Sequence, residues 1–209
     1  MTLRLAGSTS GYTEIDCPSV GGNNTLVLPT GNGTADQALV TNGSGTLSFA
    51  DRGRMVLATA QNSTSGTSID FTGIPSWVKR VTVMFNGVST NGTSNIQVQI
   101  GSTSFSTSGY LGSHAQIGGT NSVTGGTATT GAIVAFTSAS LLHVGHCIMT
   151  HVGSNAWVLS SLLGRTADSF LTSGGANITL SGTLDRVRIT TVNGTDTFDA
   201  GSINILYEG

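Results

Sequence analysis

Apolar and polar residues alternate with a period of two through most of the chain, and no segment of any length carries a period of 3.6. In NIQVQIG (95–101), Ile96, Val98 and Ile100 fall on one face of a strand, with Gln97 and Gln99 on the other. VKRVTVMFN (78–86) sets Val81, Val83 and Phe85 against Arg80 and Thr82, and SINILYEG (202–209) repeats the pattern with Ile203, Ile205 and Tyr207. MVLATA (55–60), AIVAFT (132–137), HVGHCIMTHV (143–152), AWVLSSLLG (156–164) and DRVRITTVN (185–193) complete about eight candidate strands. They are separated by turn sequences such as NGVSTNGTS, GSNA, TSGGAN and NGTD. Strands at this spacing predict an all-β fold, a β-sandwich of jelly-roll type, with helix nearly absent.

The alternation thins before residue 52. There the chain reads as short pieces, LRLAG, YTEID, TLVLP, QALVT and TLSF, between closely spaced turns. Its apolar residues (Leu3, Leu5, Ile15, Val20 and Val40 besides those named next) are spread over segments too short to share a face. Ordering backbone costs about 1–2 kcal/mol per residue, and burying so few side chains at about 1.5–3 kcal/mol each does not offset that. Three copies wound round one axis would cover each leucine with two neighbours. The expectation is therefore an interlocked trimeric β module over residues 1–53, with a trimerisation core of Leu26, Leu28, Leu39, Leu47 and Phe49. Residues 54–209 are then the sandwich head.

Composition narrows the function. Only 9% of residues are charged and the net charge is −2, with Lys79 the single lysine. That leaves no electrostatic footprint for nucleic acid or an anionic membrane. Abundant Ser, Thr, Gly and Asn suit strands and turns, and 37% hydrophobic residues in alternating runs argue for a folded chain. Cys17 and Cys147 are too few and too far apart for a disulfide framework. The start MTLRLAGSTSG has no long apolar region, so no secretory signal is expected. The most apolar stretch, residues 141–164, is broken by His143, His146, His151, Asn155 and several glycines, so no membrane helix is expected. The Asn-x-Ser/Thr sequences at Asn23, Asn32, Asn42, Asn62, Asn91, Asn177 and Asn193 are mostly of the NGT and NGS kind, and read as turn chemistry.

Chemistry-bearing residues are sparse. His143, Cys147 and His151 share a strand face but span about 26 Å at roughly 3.3 Å per residue, so one chain cannot gather them on a metal ion; three copies of one histidine across a trimer axis could. Neither a metal nor another cofactor is expected. The carboxylates Asp70, Asp168, Asp185, Asp196 and Asp199 show no spacing that makes a glycosidase pair, and there is no nucleophile elbow, P-loop or HExxH. An enzyme is not expected. Trp77 after Pro75 fits a structural corner, and Trp157 lies in an apolar run that reads as core. In SGYLGSHAQ, Tyr110 and His114 are the candidate contacts for a surface ligand, and residues 118–132 read as a long loop of the kind that carries specificity.

Residues 7–51, GSTSGYTEIDCPSVGGNNTLVLPTGNGTADQALVTNGSGTLSFAD, resemble a recurrent module of bacteriophage fibre proteins. The matching positions are Gly7, Ser8, Ser10 and Gly11; Asn24, Thr25, Leu26, Leu28 and Pro29; and Gln37, Leu39, Thr41, Gly43, Gly45 and Leu47. IDFTGIPSWVKRVTVMFNGVSTNGTSNIQVQIGS (69–102), followed by TSGY (107–110), is similar to terminal domains of the same class, common in marine and cyanobacterial phages. Together these cover roughly half the chain. The resemblance implies a homotrimeric virion protein made in the cytoplasm of a bacterial host. Its partners would be other virion proteins and host cell-surface polysaccharide. The role implied is a short tail fibre with host recognition; a head fibre or capsid decoration protein, and more remotely a glycan-degrading spike, stand beside it. One departure is length, since a single module leads directly into a single terminal domain.

Overall fold

The computed structural model describes residues 3–15, 19, 22, 23, 25–35, 37–51, 53–118 and 122–209. Cys17, Val20, Asn24, Arg52 and positions 119–121 of the expected loop lie outside the described residues. Every regular element described is a β-strand, and the strand ladders are all antiparallel. Contacts divide the chain into two units, Met1–Arg52 and Gly53–Gly209.

The first unit holds two hairpins. β1 (Leu3–Ala6) pairs with β2 (Tyr12–Ile15), and β3 (Gln37–Thr41) pairs with β4 (Leu47–Asp51). An isolated parallel bridge joins Val27 to Thr46, beside β4. The Asn42 side chain accepts from the N–H groups of Ser44 and Thr46 and so closes the β3–β4 turn. Phe49 lies over Gly33, where a Cβ would meet its ring at 2.6 Å and φ is +69°, so only glycine fits beneath it. No residue of this unit whose exposure is described is buried.

The second unit is a sandwich. Its strands in chain order are β5 (Met55–Leu57), β6 (Gln61–Asn62), β7 (Ser68–Thr72), β8 (Arg80–Thr90), β9 (Ile96–Ser102), β10 (Ser104–Phe105), β11 (Leu111–Gly118), β12 (Ser122–Ala128), β13 (Ala132–Ala135), β14 (His143–Gly153), β15 (Ala156–Arg165), β16 (Leu171–Thr179), β17 (Arg186–Thr191) and β18 (Phe198–Glu208). One sheet runs β7-β17-β9, with β13 and the short β10 both on the far edge of β9. The other runs β12-β11-β16-β15-β14-β8-β18, ending on β5 and β6. Taking β5/β6, β7, β8, β9, β13, β14, β17 and β18 as first to eighth, the sheets read first-eighth-third-sixth and second-seventh-fourth-fifth. That is the double Greek key of a jelly roll. The remaining pair of hairpin strands from each of two excursions, β15/β16 and β11/β12, widens one sheet into a wing.

The core lies where the alternation put it. Val81, Val83, Ile203 and Ile205 of the wide sheet meet Ile96, Val98, Ile100, Val187 and Ile189 of the narrow one, each of these at most 1% exposed. β14 is bulged at Gly145, whose φ of +143° and approach to the Leu162 carbonyl exclude a side chain.

Two expectations are corrected. Residues 118–132 are not a long loop: 122–128 form β12, hydrogen-bonded to β11. The roll's eight strands include β7, its second, and not β15, which belongs to the wing. β7 is only five residues long, and β11, β12 and β16 (LGSHAQIG, SVTGGTA, LTSGGANIT) carry too few apolar residues to alternate visibly. Their neighbours' backbone ladders, more than their own side chains, hold them extended.

Candidate functional site

The head presents two sheet faces to its surroundings, and they differ in chemistry. On the narrow sheet the outward positions form a polar lattice. Asp70, Arg188 and Gln99 stand in one cross-strand row, and Ser68, Thr190 and Gln97 in the next. Arg188 grips Asp70 with two parallel bonds, from Nε at 2.8 Å and Nη2 at 2.7 Å, leaving Nη1 outside the pair. Its guanidinium lies 4.1 Å from the centre of the Phe105 ring. Gln99 donates from Nε2 to the Thr130 carbonyl at 2.8 Å, and Thr130 Oγ1 donates to Gln97 Oε1 at 2.9 Å. Those bonds pin the turn before β13 across the sheet and bury both glutamines. Between them runs a shallow groove of about 310 Å³ lined by Thr67, Gln97, Gln99, Thr130, Arg188 and Thr190.

On the wide sheet the outward positions carry exposed aliphatic side chains among polar ones. Val158 and Leu162 of β15, Val144 and Val152 of β14, and Met55 and Leu57 of β5 are each between 38% and 67% exposed. Arg80 and Glu208 are paired to each other at 3.1 Å, and His146 is exposed on the same face. On the wing, a notch of about 500 Å³ opens between Leu111, Ser113, Thr127 and Asn177 over Gly175, which has no side chain to fill it.

The two expected ligand contacts are not together on a surface loop. Tyr110 is corrected outright, since it is 1% exposed and part of the core. Its hydroxyl accepts from the Ile100 N–H at 2.7 Å and donates back to the Ile100 carbonyl at 3.4 Å. Burial pushes the phenol up to about 12, against a smaller downward pull from the Ile100 bond. His114 sits mid-strand on β11, half-buried on the inner side of the wing, with its ring 5.0 Å from that of Phe136. Burial holds it below the ordinary histidine value, and its Nδ1 is enclosed without a hydrogen-bond partner among the described residues. Of the expected trimerisation residues, Leu26, Leu28 and Leu39 are 65%, 70% and 51% exposed, while Leu47 and Phe49 are half-covered.

The histidine–cysteine run is dispersed. His143 is fully buried, its two ring nitrogens 3.2 Å from the Val88 carbonyl and 3.1 Å from the Phe136 carbonyl. Cys147 is buried with its thiol pushed up to about 12 by desolvation, which leaves it unreactive. His146 faces out, and His151 lies against Trp157 at 5.1 Å. No group of three possible metal ligands occurs among the described residues. The carboxylates are structural. Asp168 pairs with Arg165, Asp185 pairs with Arg186, and Asp199 accepts from Ser89. The Asn193 amide, first, and the Ser94 N–H hold the Asp196 carboxyl below its usual range. Trp157 is in the core, and Trp77 is partly buried against Tyr207 at the corner before β8.

The Asp70–Arg188–Gln99 row escaped the sequence reading. Each member was visible singly, but the cross-strand row needs the order β7-β17-β9, which local patterning does not encode. No protein-family model matches the chain, and comparison with curated proteins and with solved structures gives no match.

Proposed function

We propose that the chain is a structural virion protein of a bacteriophage, a short homotrimeric tail fibre whose head contacts host-surface glycan and which catalyses no reaction. The single observation that carries this reading is that no residue of the N-terminal unit whose exposure is described is buried. The unit folds into hydrogen-bonded hairpins yet leaves Leu3, Leu5, Leu26, Leu28 and Leu39 open, and a unit of that kind needs other chains to complete it. The resemblance of residues 7–51 to fibre modules supplies the class of assembly.

The polar groove on the narrow sheet suits the glycan role. Arg188 Nη1 can donate to a ring or hydroxyl oxygen, the Asp70 carboxylate can accept from a hydroxyl, and the neighbouring threonines can do either. Such contacts are weak singly and gain strength from threefold repetition. Sedimentation equilibrium of the full chain tests the assembly, with three chains per particle expected; a monomer at all concentrations sinks the fibre reading. Immunogold microscopy with antibody to residues 53–209 tests the place. Label at the tail tip is expected, whereas label over the capsid makes the chain a head fibre or decoration protein instead.

A further inference from the structure

Resting on the homotrimer reading above, we infer that the outward face of the wide sheet, with its exposed aliphatic side chains, is the contact between heads, and that its occupant is a second copy of this chain. In that contact the β5 edge of one head seats on the wing of the next.

Four observations converge on this occupant. The first is size. Seven strands at about 4.8 Å and roughly eight residues at about 3.4 Å each give a face on the order of 900 Å², room for a knob patch at one end and a notch patch at the other, each smaller than the roughly 800 Å² of a standard interface and therefore dependent on tethering by the N-terminal units. The second is charge. Arg80 and Glu208 neutralise one another at 3.1 Å, so an identical face meets no unpaired charge at that point.

The third is shape. The two ends of the sheet are unlike: at the β5 edge Met55 and Leu57 project, 64% and 62% exposed, and at the wing the notch over Gly175 is open. Knob and notch at opposite ends of one surface make a heterologous contact, which closes into a ring when the rotation allows. The fourth is connectivity. β5 begins three residues after Arg52, so joining three N-terminal units brings three β5 edges to high local concentration.

The test uses the full chain carrying Cys17→Ser, Leu57→Cys and Ser113→Cys, treated with a short bismaleimide that tolerates imperfect geometry. Buried Cys147 does not compete. A covalent ladder ending at three chains on a denaturing gel is expected. Adding Gly175→Lys should abolish that ladder. The head itself accommodates this side chain, because the nearest atom to a Cβ at Gly175 is the Leu159 carbonyl oxygen at 3.7 Å. A particle that is trimeric by sedimentation but gives no ladder overturns the head contact and leaves the homotrimer standing. A ladder that stops at two chains overturns the closed ring. A monomer by sedimentation overturns the homotrimer reading and the head contact with it.

Discussion

The two units use the same materials, short strands of aliphatic residues spaced by Thr and Ser and joined at Gly and Asn, yet only one of them acquires an interior. In the head, Ile96, Val98 and Ile100 are buried because a second sheet stands opposite them, carrying Val81, Val83, Ile203 and Ile205. In Met1–Arg52 the strands come in twos, and a two-stranded ribbon has both faces open. Leu3, Leu5, Ile15 and Leu28 are all more than half exposed there. Alternation thus fixes which side of a strand is apolar but not whether anything covers it; that depends on a second layer, from the same chain or from another. The wide sheet's outer face shows the same thing inside the head, with Val158 and Leu162 apolar and uncovered.

The sharpest way to break the comparison is to truncate one side chain in each region. Phe198 is 1% exposed within the jelly roll, so Phe198→Ala should cost about 3–5 kcal/mol, read from denaturant unfolding. Leu28 is 70% exposed in the single chain, where Leu28→Ala should change stability by less than about 0.5 kcal/mol. In the assembled fibre the same change should cost about 2–5 kcal/mol and make the transition concentration-dependent. A cost below about 0.5 kcal/mol at every concentration would mean that nothing covers the unit.

Tyr110→Phe probes a polar group that belongs wholly to the covered region. The phenylalanine keeps the ring but leaves the Ile100 N–H without its 2.7 Å acceptor, at a cost of about 1–3 kcal/mol. Host-cell adsorption per folded trimer should not move, since the residue touches only the core. Reduced adsorption with unchanged stability would restore Tyr110 as a contact.

Acid should also act on the head alone, because all four histidines lie there. Desolvation, with a lesser contribution from Arg165, holds His143 below the ordinary histidine value against the upward pull of backbone bonds to Phe136, Val88 and Leu141. Near pH 6.5 the unfolded chain takes up a proton that the folded head refuses. Stability is therefore fully present above that pH and falls as pH drops below it, at up to about 1.4 kcal/mol per pH unit for this group. His114, shifted the same way by burial, adds to the fall. Thermal unfolding between pH 5 and 8 should show the decline, and His143→Gln should flatten it; an equal slope in the variant would remove His143 from the account.

How far these sites were legible follows from the same distinction. Strands with three strong alternations (80–86, 95–101, 202–209) could be read directly, and Trp157 could be placed in the core from its apolar neighbours. The wing could not, because Gly, Ser and Thr in β12 and β16 give no periodic signal and are held by pairing with strands already formed. Tyr110 misled because it follows Ser and Gly in a turn-rich stretch; nothing local shows that its hydroxyl reaches back ten residues to Ile100. The Arg188–Asp70 pair spans 118 positions and exists only because β17 lies beside β7.

The finest test of the comparison is an isosteric change on the uncovered face. Val158 is 45% exposed on the outer side of β15, and threonine matches its shape while placing a hydroxyl where a methyl stood. In a lone head that hydroxyl is solvated, and Val158→Thr should be neutral to within about 0.5 kcal/mol. Beneath a neighbouring copy it loses water without gaining a partner, which costs about 1–3 kcal/mol. Because volume is unchanged, no cavity enters the difference. The expected result is about 1 kcal/mol in the assembled fibre and none when dilution has separated the chains. An identical value in both states would return this face to solvent and leave the N-terminal unit as the sole place where one copy covers another.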